Sequence, residues 1–283
     1  MNTGVIDRFL DVFTRYIDSG FGLLGGEVAF LATTLIALDV TIAALFWAWG
    51  AEDVLARLVK KTLHVGFFAF LIGNFNGLAK IVFNSFSGLG LKAAGSTLTA
   101  GQFLQPGRLA QVGIDAGRPI LQTASGLVGY TSLVPNAVEI IVLLIAWLIV
   151  LASFFVLAIQ LFITLIEFKL TTLAGFVLVP FGLFGRTAFL AERVLGNVIA
   201  SGVRILVLAV IVGIGTGLFG EFTQGFGSNQ PGMDDVLAMA LAALSLLGLG
   251  IFGPGIATGL GAGAPQLGAG AAVGTVSASA GAG

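Results

Sequence analysis

Asp39 is the only charge between Glu27 and Glu52, inside an otherwise apolar run. An ionisable side chain at the centre of a membrane span costs about 2.5–3.5 kcal/mol on insertion scales, so it stays there only with a partner or a task. Two chemistries suit it. The carboxyl could couple proton or ion movement in a secondary transporter. Alternatively it could be hydrogen-bonded, with Thr34 or Thr41 as local partners, and fix helix packing within or between subunits. Coupled transporters draw on several intramembrane charges and on inverted repeats. Here only Lys80 and Arg204 are further deep candidates, and the two halves show no such repeat, which favours packing.

Other residue groups suggest contact rather than catalysis. Arg186, Glu192 and Arg193 read as a solvated cytoplasmic helix or as a docking face for a cytoplasmic partner, with Arg204 snorkelling where the next span begins. Lys92, Arg108 and Arg118 could touch phosphates, although three dispersed charges make a weak site unless several subunits multiply them. Gly213 and Gly217 have the small-residue spacing that lets helices approach closely. No P-loop, GxSxG elbow or HExxH motif occurs, and His64 has no second histidine beside it. The chain has no cysteine, which excludes disulfides, thiolate metal sites and cysteine nucleophiles. No catalytic residue, cofactor-binding residue or metal ligand is assigned, and an enzyme is not expected.

The elements that must position these residues follow from composition. Of 283 residues, 57% are hydrophobic and only 10% charged, where a soluble domain averages about 25% charged. That describes a polytopic membrane protein of the all-α class. The net charge of −1 provides no global basic field for nucleic acid. The N-terminus carries Asp7, Asp11 and Asp18 and lacks the basic start of a signal peptide, so the first anchor is expected to stay in the mature protein.

Residues 1–20 predict an amphipathic helix, with Val5, Phe9, Leu10, Phe13 and Ile17 on one side and Asp7, Arg8, Asp11, Arg15 and Asp18 largely on the other. It lies in the periplasmic interface or packs on neighbouring spans. Spans one and two occupy 28–84, joined by a basic turn at 50–64 whose Arg57, Lys60 and Lys61 hold it in the cytoplasm. The second span is interrupted by Asn74, Asn76 and Lys80, so it faces other helices, with Lys80 snorkelling to the far interface. By alternation, 85–136 is a periplasmic loop region. Spans three to five fall within 137–253. Between them, 170–185 is short, uncharged and carries Pro180. Crossing there would place Arg186, Arg193 and Arg204 outside, against the positive-inside bias. A re-entrant hairpin followed by a cytoplasmic helix at 186–202 is therefore expected. The Gly/Ala-rich stretch 254–283 is a cytoplasmic tail. The scheme has five spans plus the hairpin, with the N-terminus periplasmic and the C-terminus cytoplasmic.

The stretch FKLTTLAGFVLVPFGLFGRTAFLAERVLGNVIASGVRILVLAVIVGIG, residues 168–215, resembles the TrbL family of conjugal transfer proteins. The shared pattern is a long apolar span, a short apolar piece ending in Pro-Phe-Gly, a Thr, Ala-Glu-Arg and a Gly-Val-Arg lead into the next span. Residues 1–90 are similar to the family's N-terminal half, and the likeness extends over about 1–255. Family members often carry a longer tail than this chain's Gly/Ala run. The resemblance implies a non-enzymatic channel or assembly subunit of a plasmid-encoded type IV secretion system in the bacterial inner membrane. It implies a homo-oligomeric, five-fold ring beneath a periplasmic stalk protein, with inner-membrane ATPase-associated components as neighbours. The substrate would be relaxase-bound single-stranded DNA, passing the loop carried here by 85–136. No cofactor is implied, a bound phospholipid excepted.

Overall fold

The computed structural model describes residues 4–49, 54–128, 135–225 and 231–262. Among the described residues every regular element is a helix: α1 Gly4–Trp49, α2 Val54–Ala93, α3 Ala100–Phe103, α4 Pro106–Leu127, α5 Ala137–Leu178, α6 Ala188–Gly225 and α7 Met233–Ala262, with a 3₁₀ turn Val179–Leu183 between α5 and α6. Five of these, α1, α2, α5, α6 and α7, are long and apolar enough to cross a membrane. The chain is thus an all-helical, polytopic bundle of the expected class.

The helices are longer than the expected spans. α1 has 46 residues, about 69 Å at 1.5 Å per residue, against a bilayer core of about 30 Å. It runs unbroken through Gly20, Gly22, Gly25 and Gly26, so residues 4–20 continue into the first span and are not a separate interfacial helix, while residues 1–3 lie outside the described residues. Residues 4–20 are the first third of α1, with Leu10 and Ile17 buried and the Phe9 ring stacked 5.7 Å from Phe162 of α5. The basic turn at 50–64 is likewise helical from Val54 onward. The helix of span two continues to Ala93, and most of 85–136 is helical rather than loop. The tail beyond Ala262 lies outside the described residues.

The segment 170–185 also differs from expectation. Residues 170–178 are the last turns of α5, and only the piece around Pro180 reverses the chain. Proline has no N–H and cannot continue the ladder, so the helix tightens into 3₁₀ geometry there. Thr187 closes the turn, its hydroxyl donating to the Phe181 and Phe184 carbonyls at 2.8 and 3.1 Å. The reversal joins two full helices, α5 and α6, in place of a hairpin confined to 170–185. The expected helix at 186–202 is the first half of α6. Antiparallel register is fixed by Gly175 against Val194, Glu167 with Arg204, and Phe154 edge-on to Phe219 at 4.8 Å.

Close approach at glycines sets the helix spacing. A Cβ on Gly182 would fall 2.1 Å from the Phe68 ring, and one on Gly90 would fall 2.4 Å from the Leu206 carbonyl oxygen. Neither a ring held in the core nor backbone can yield to that, so α2 packs on the turn and on α6 only because these positions lack a side chain. His64 adds a polar latch, its Nε2 lying 2.9 Å from the Gly182 carbonyl oxygen. α1 and α5 run in the same direction, pairing Asp18 with Lys169 and Phe21 with Phe176. α2 runs back past both, pairing Phe75 with Phe176 and Phe83 with Phe168.

Candidate functional site

Several charged residues of the long helices gather at one height. Lys169 of α5 donates to both carboxylate oxygens of Asp18 on α1, at 2.8 and 3.0 Å. Lys80 of α2 approaches the same carboxylate at 3.8 Å. One turn away, Arg204 of α6 pairs with Glu167 of α5. Four helices therefore contribute to one charged belt. This corrects the alternation scheme, which puts Asp18 at a periplasmic end and Glu167 and Lys169 at a cytoplasmic end. Alternation assumes one bilayer length per helix, whereas α1 begins alongside α5 and the two descend together. Lys80 does not snorkel to a separate face, and neither it nor Arg204 pairs with Asp39.

On either side of the belt lies apolar surface. From Lys80 to Lys61, α2 covers about 28 Å, with Leu63 and Phe70 exposed, as are Leu23, Phe30 and the single charged residue Glu27 between Asp18 and Asp39 of α1. From Glu167 to Glu139, α5 covers about 42 Å, with Ile141, Ile145 and Leu148 exposed beside Leu241 and Leu249 of α7. Each layer is at least about one bilayer core deep.

At the far end of the α1–α2 layer Asp39 is 7% exposed and pairs with Lys61. The local partners expected from sequence are otherwise engaged: Thr34 donates to the Phe30 carbonyl and Thr41 to the Ala37 carbonyl. A threonine four residues from a helical carbonyl satisfies itself there, so the carboxylate takes its partner from the next helix.

A second polar feature is α4. Its small face, including Ala110, Gly113, Ala116 and Gly117, is buried. A Cβ on Gly113 would fall 2.3 Å from that of Phe154, and one on Gly117 would fall 2.8 Å from the Trp147 ring, so α4 lies antiparallel along the most apolar part of α5. The opposite face carries Arg108, Gln111, Asp115, Arg118, Gln122 and Ser125 at alternating steps of three and four, a single stripe down the helix. Arg118 and Asp115 are 3.3 Å apart, and Gln111 donates to Asp115 at 3.0 Å. Asp7 of α1 accepts from the Gly107 N–H at 2.7 Å, which ties the first turn of α4 to the start of the chain. Lys92 is exposed at the end of α2, just before that helix closes in a Schellman motif at Gly95, φ +60°.

Arg186, Glu192 and Arg193 are exposed on and before the first turns of α6, with Arg193 over the Phe189 ring at 5.9 Å. Gly213 packs on Ala94 and Ser96, whereas Gly217 meets open space. Sequence reasoning missed Asp18, Lys169, Lys61 and Asp7 as partners. Their signal was present, since each is a charge at the border of an apolar run, but the helix register that pairs them was not. Over residues 36–253 the sequence matches the family described as TrbL/VirB6 plasmid conjugal transfer protein. A search of curated proteins gave no match.

Proposed function

The chain belongs to the TrbL/VirB6 plasmid conjugal transfer family, and from that premise we propose that it is the polytopic inner-membrane subunit of a conjugative type IV secretion system. Copies assemble as a ring, five-fold by the family resemblance, that seats the periplasmic stalk and supports passage of relaxase-bound single-stranded DNA. Its part is structural: it spans, packs and lines. Arg186, Glu192 and Arg193 face the cytoplasmic or ATPase-associated components.

The observation that carries the ring is the stacking of two apolar layers across one charged belt. A single bilayer covers about 30 Å of height, so lipid covers one layer and leaves the other exposed. Apolar surface on that scale is not left to water. Neighbouring copies supply the cover. The stripe on α4 supports a water-filled passage, because Arg108 and Arg118 belong against water or phosphate rather than lipid chains. Repetition around a ring turns two arginines per copy into a basic collar.

In a donor strain lacking the gene, conjugation should fall below detection while nicking at the transfer origin continues. Normal transfer in that strain ends the proposal. Replacing both stripe arginines, Arg108→Ala with Arg118→Ala, should lower transfer about tenfold or more through lost phosphate contacts and leave cross-linked oligomers intact. Undiminished transfer removes the stripe from the substrate path.

A further inference from the structure

The charged belt borders an open cavity of about 280 Å³ between α1, α2 and α5, with Asp11, Lys80 and Asn84 exposed at its mouth. Its polar lining includes Asp11, Thr14, Asn76, Lys80, Asn84 and Lys169. We propose that this cavity holds the headgroup of a phosphatidylethanolamine molecule, with its phosphate on Lys80 and Lys169 and its ammonium on Asp11. The proposal requires only that the chain sits in a bilayer and does not rest on the secretion reading.

Three observations converge on that ligand. The first is spare hydrogen-bonding capacity. Asn76, Lys80 and Asn84 recur every fourth position of α2 and so share one face. Among the described residues the two amides and the Asp11 carboxylate have no hydrogen-bond or ion partner. The Lys80 side chain is 53% exposed and stands 3.8 Å from Asp18, near enough to be neutralised and not bound tightly. Lys169 uses two donors on Asp18 and keeps a third. Unspent donors beside an unspent acceptor suit a ligand carrying both charges.

The second is charge. Lys80 and Lys169 are balanced by Asp11 and Asp18, so the lined site is neutral overall and polarised. A zwitterion matches it, whereas an anionic headgroup would leave Asp11 facing like charge. The ethanolamine N–H groups can donate to Asp11, which a trimethylammonium cannot do.

The third is height. The belt borders both apolar layers, so it lies at a bilayer face whichever layer the lipid occupies. Apart from Thr172, whose hydroxyl donates to the Phe168 carbonyl, the rest of the lining is apolar, Phe83, Leu165 and Phe168 included, and suits the acyl carbons nearest the glycerol.

The test is to purify the full chain in mild detergent, deplete it of lipid and measure thermal unfolding and lipid retention by native mass spectrometry. Added phosphatidylethanolamine should be retained and should raise the melting temperature, while phosphatidylcholine should do so about tenfold less well, since one charge-assisted hydrogen bond is lost. Lys80→Gln should weaken retention of both lipids, because both carry the phosphate, and Asp11→Asn should lose the preference between them, each with wild-type helicity and elution volume. Asn76→Leu with Asn84→Leu should weaken retention of both lipids as Lys80→Gln does. Equal response to the two lipids, a stronger response to phosphatidylglycerol, or the same shift from inorganic phosphate alone would each overturn the assignment.

Discussion

Asp39 and Lys61 show how a residue-scale expectation changes when a neighbour arrives. The carboxylate is nine-tenths buried, and its cation comes from the adjacent helix. Removing one member of such a pair leaves an uncompensated charge and costs about 3–5 kcal/mol, whereas replacing both with apolar residues of similar size is often neutral. Asp39→Leu alone should therefore lower the melting temperature of the purified protein sharply, and adding Lys61→Leu should restore most of it. A double variant no better than the single one would show that Asp39 has some other duty. The identity of the unusual residue was legible in the sequence, because one carboxylate in an apolar run stands out. Its partner was not, since Lys61 reads as one of three interchangeable basic residues until α1 and α2 are in register. Lys80 was legible only as an interruption of a span, and its neighbours Asp18 and Lys169 are remote in sequence.

At the scale of the element, helix type was plain and helix length was not. Apolar periodicity identifies helices, but a polar turn such as Arg15–Gly20 resembles an end when the helix is continuing along a neighbour. The same holds for α4: its Gly, Ser and Gln content reads as loop, yet the small residues on one face are what let it lie flat on α5. Packing overrides propensity there. Gly113→Val would place carbon where Phe154 already sits, an overpacking worth about 1–3 kcal/mol. Hydrogen exchange over 106–127 should speed up in that variant while α6 and α7 keep their protection. Unchanged exchange in α4 would argue against its seat on α5. At the Pro-Phe-Gly turn the chain reverses between two whole helices, where a hairpin confined to 170–185 was expected.

For the whole molecule, the charged belt makes the membrane arrangement testable. Ser19 and Thr171 flank Asp18 and Lys169, and the chain has no native cysteine. Ser19→Cys and Thr171→Cys should react with an impermeant maleimide from the same side of the membrane. Labelling from opposite sides would restore the simple alternation of crossings and dissolve the belt. The bond between Asp7 and the Gly107 amide extends the point to how the protein is made. Residue 7 leaves the ribosome a hundred residues before its partner, and the two can meet only if α1 and α2 have together gone out and come back. The insertion machinery must then accept that pair as one unit, with the N-terminus left free to wait. Bulk added just before α1 would crowd the place where the seventh residue receives α4.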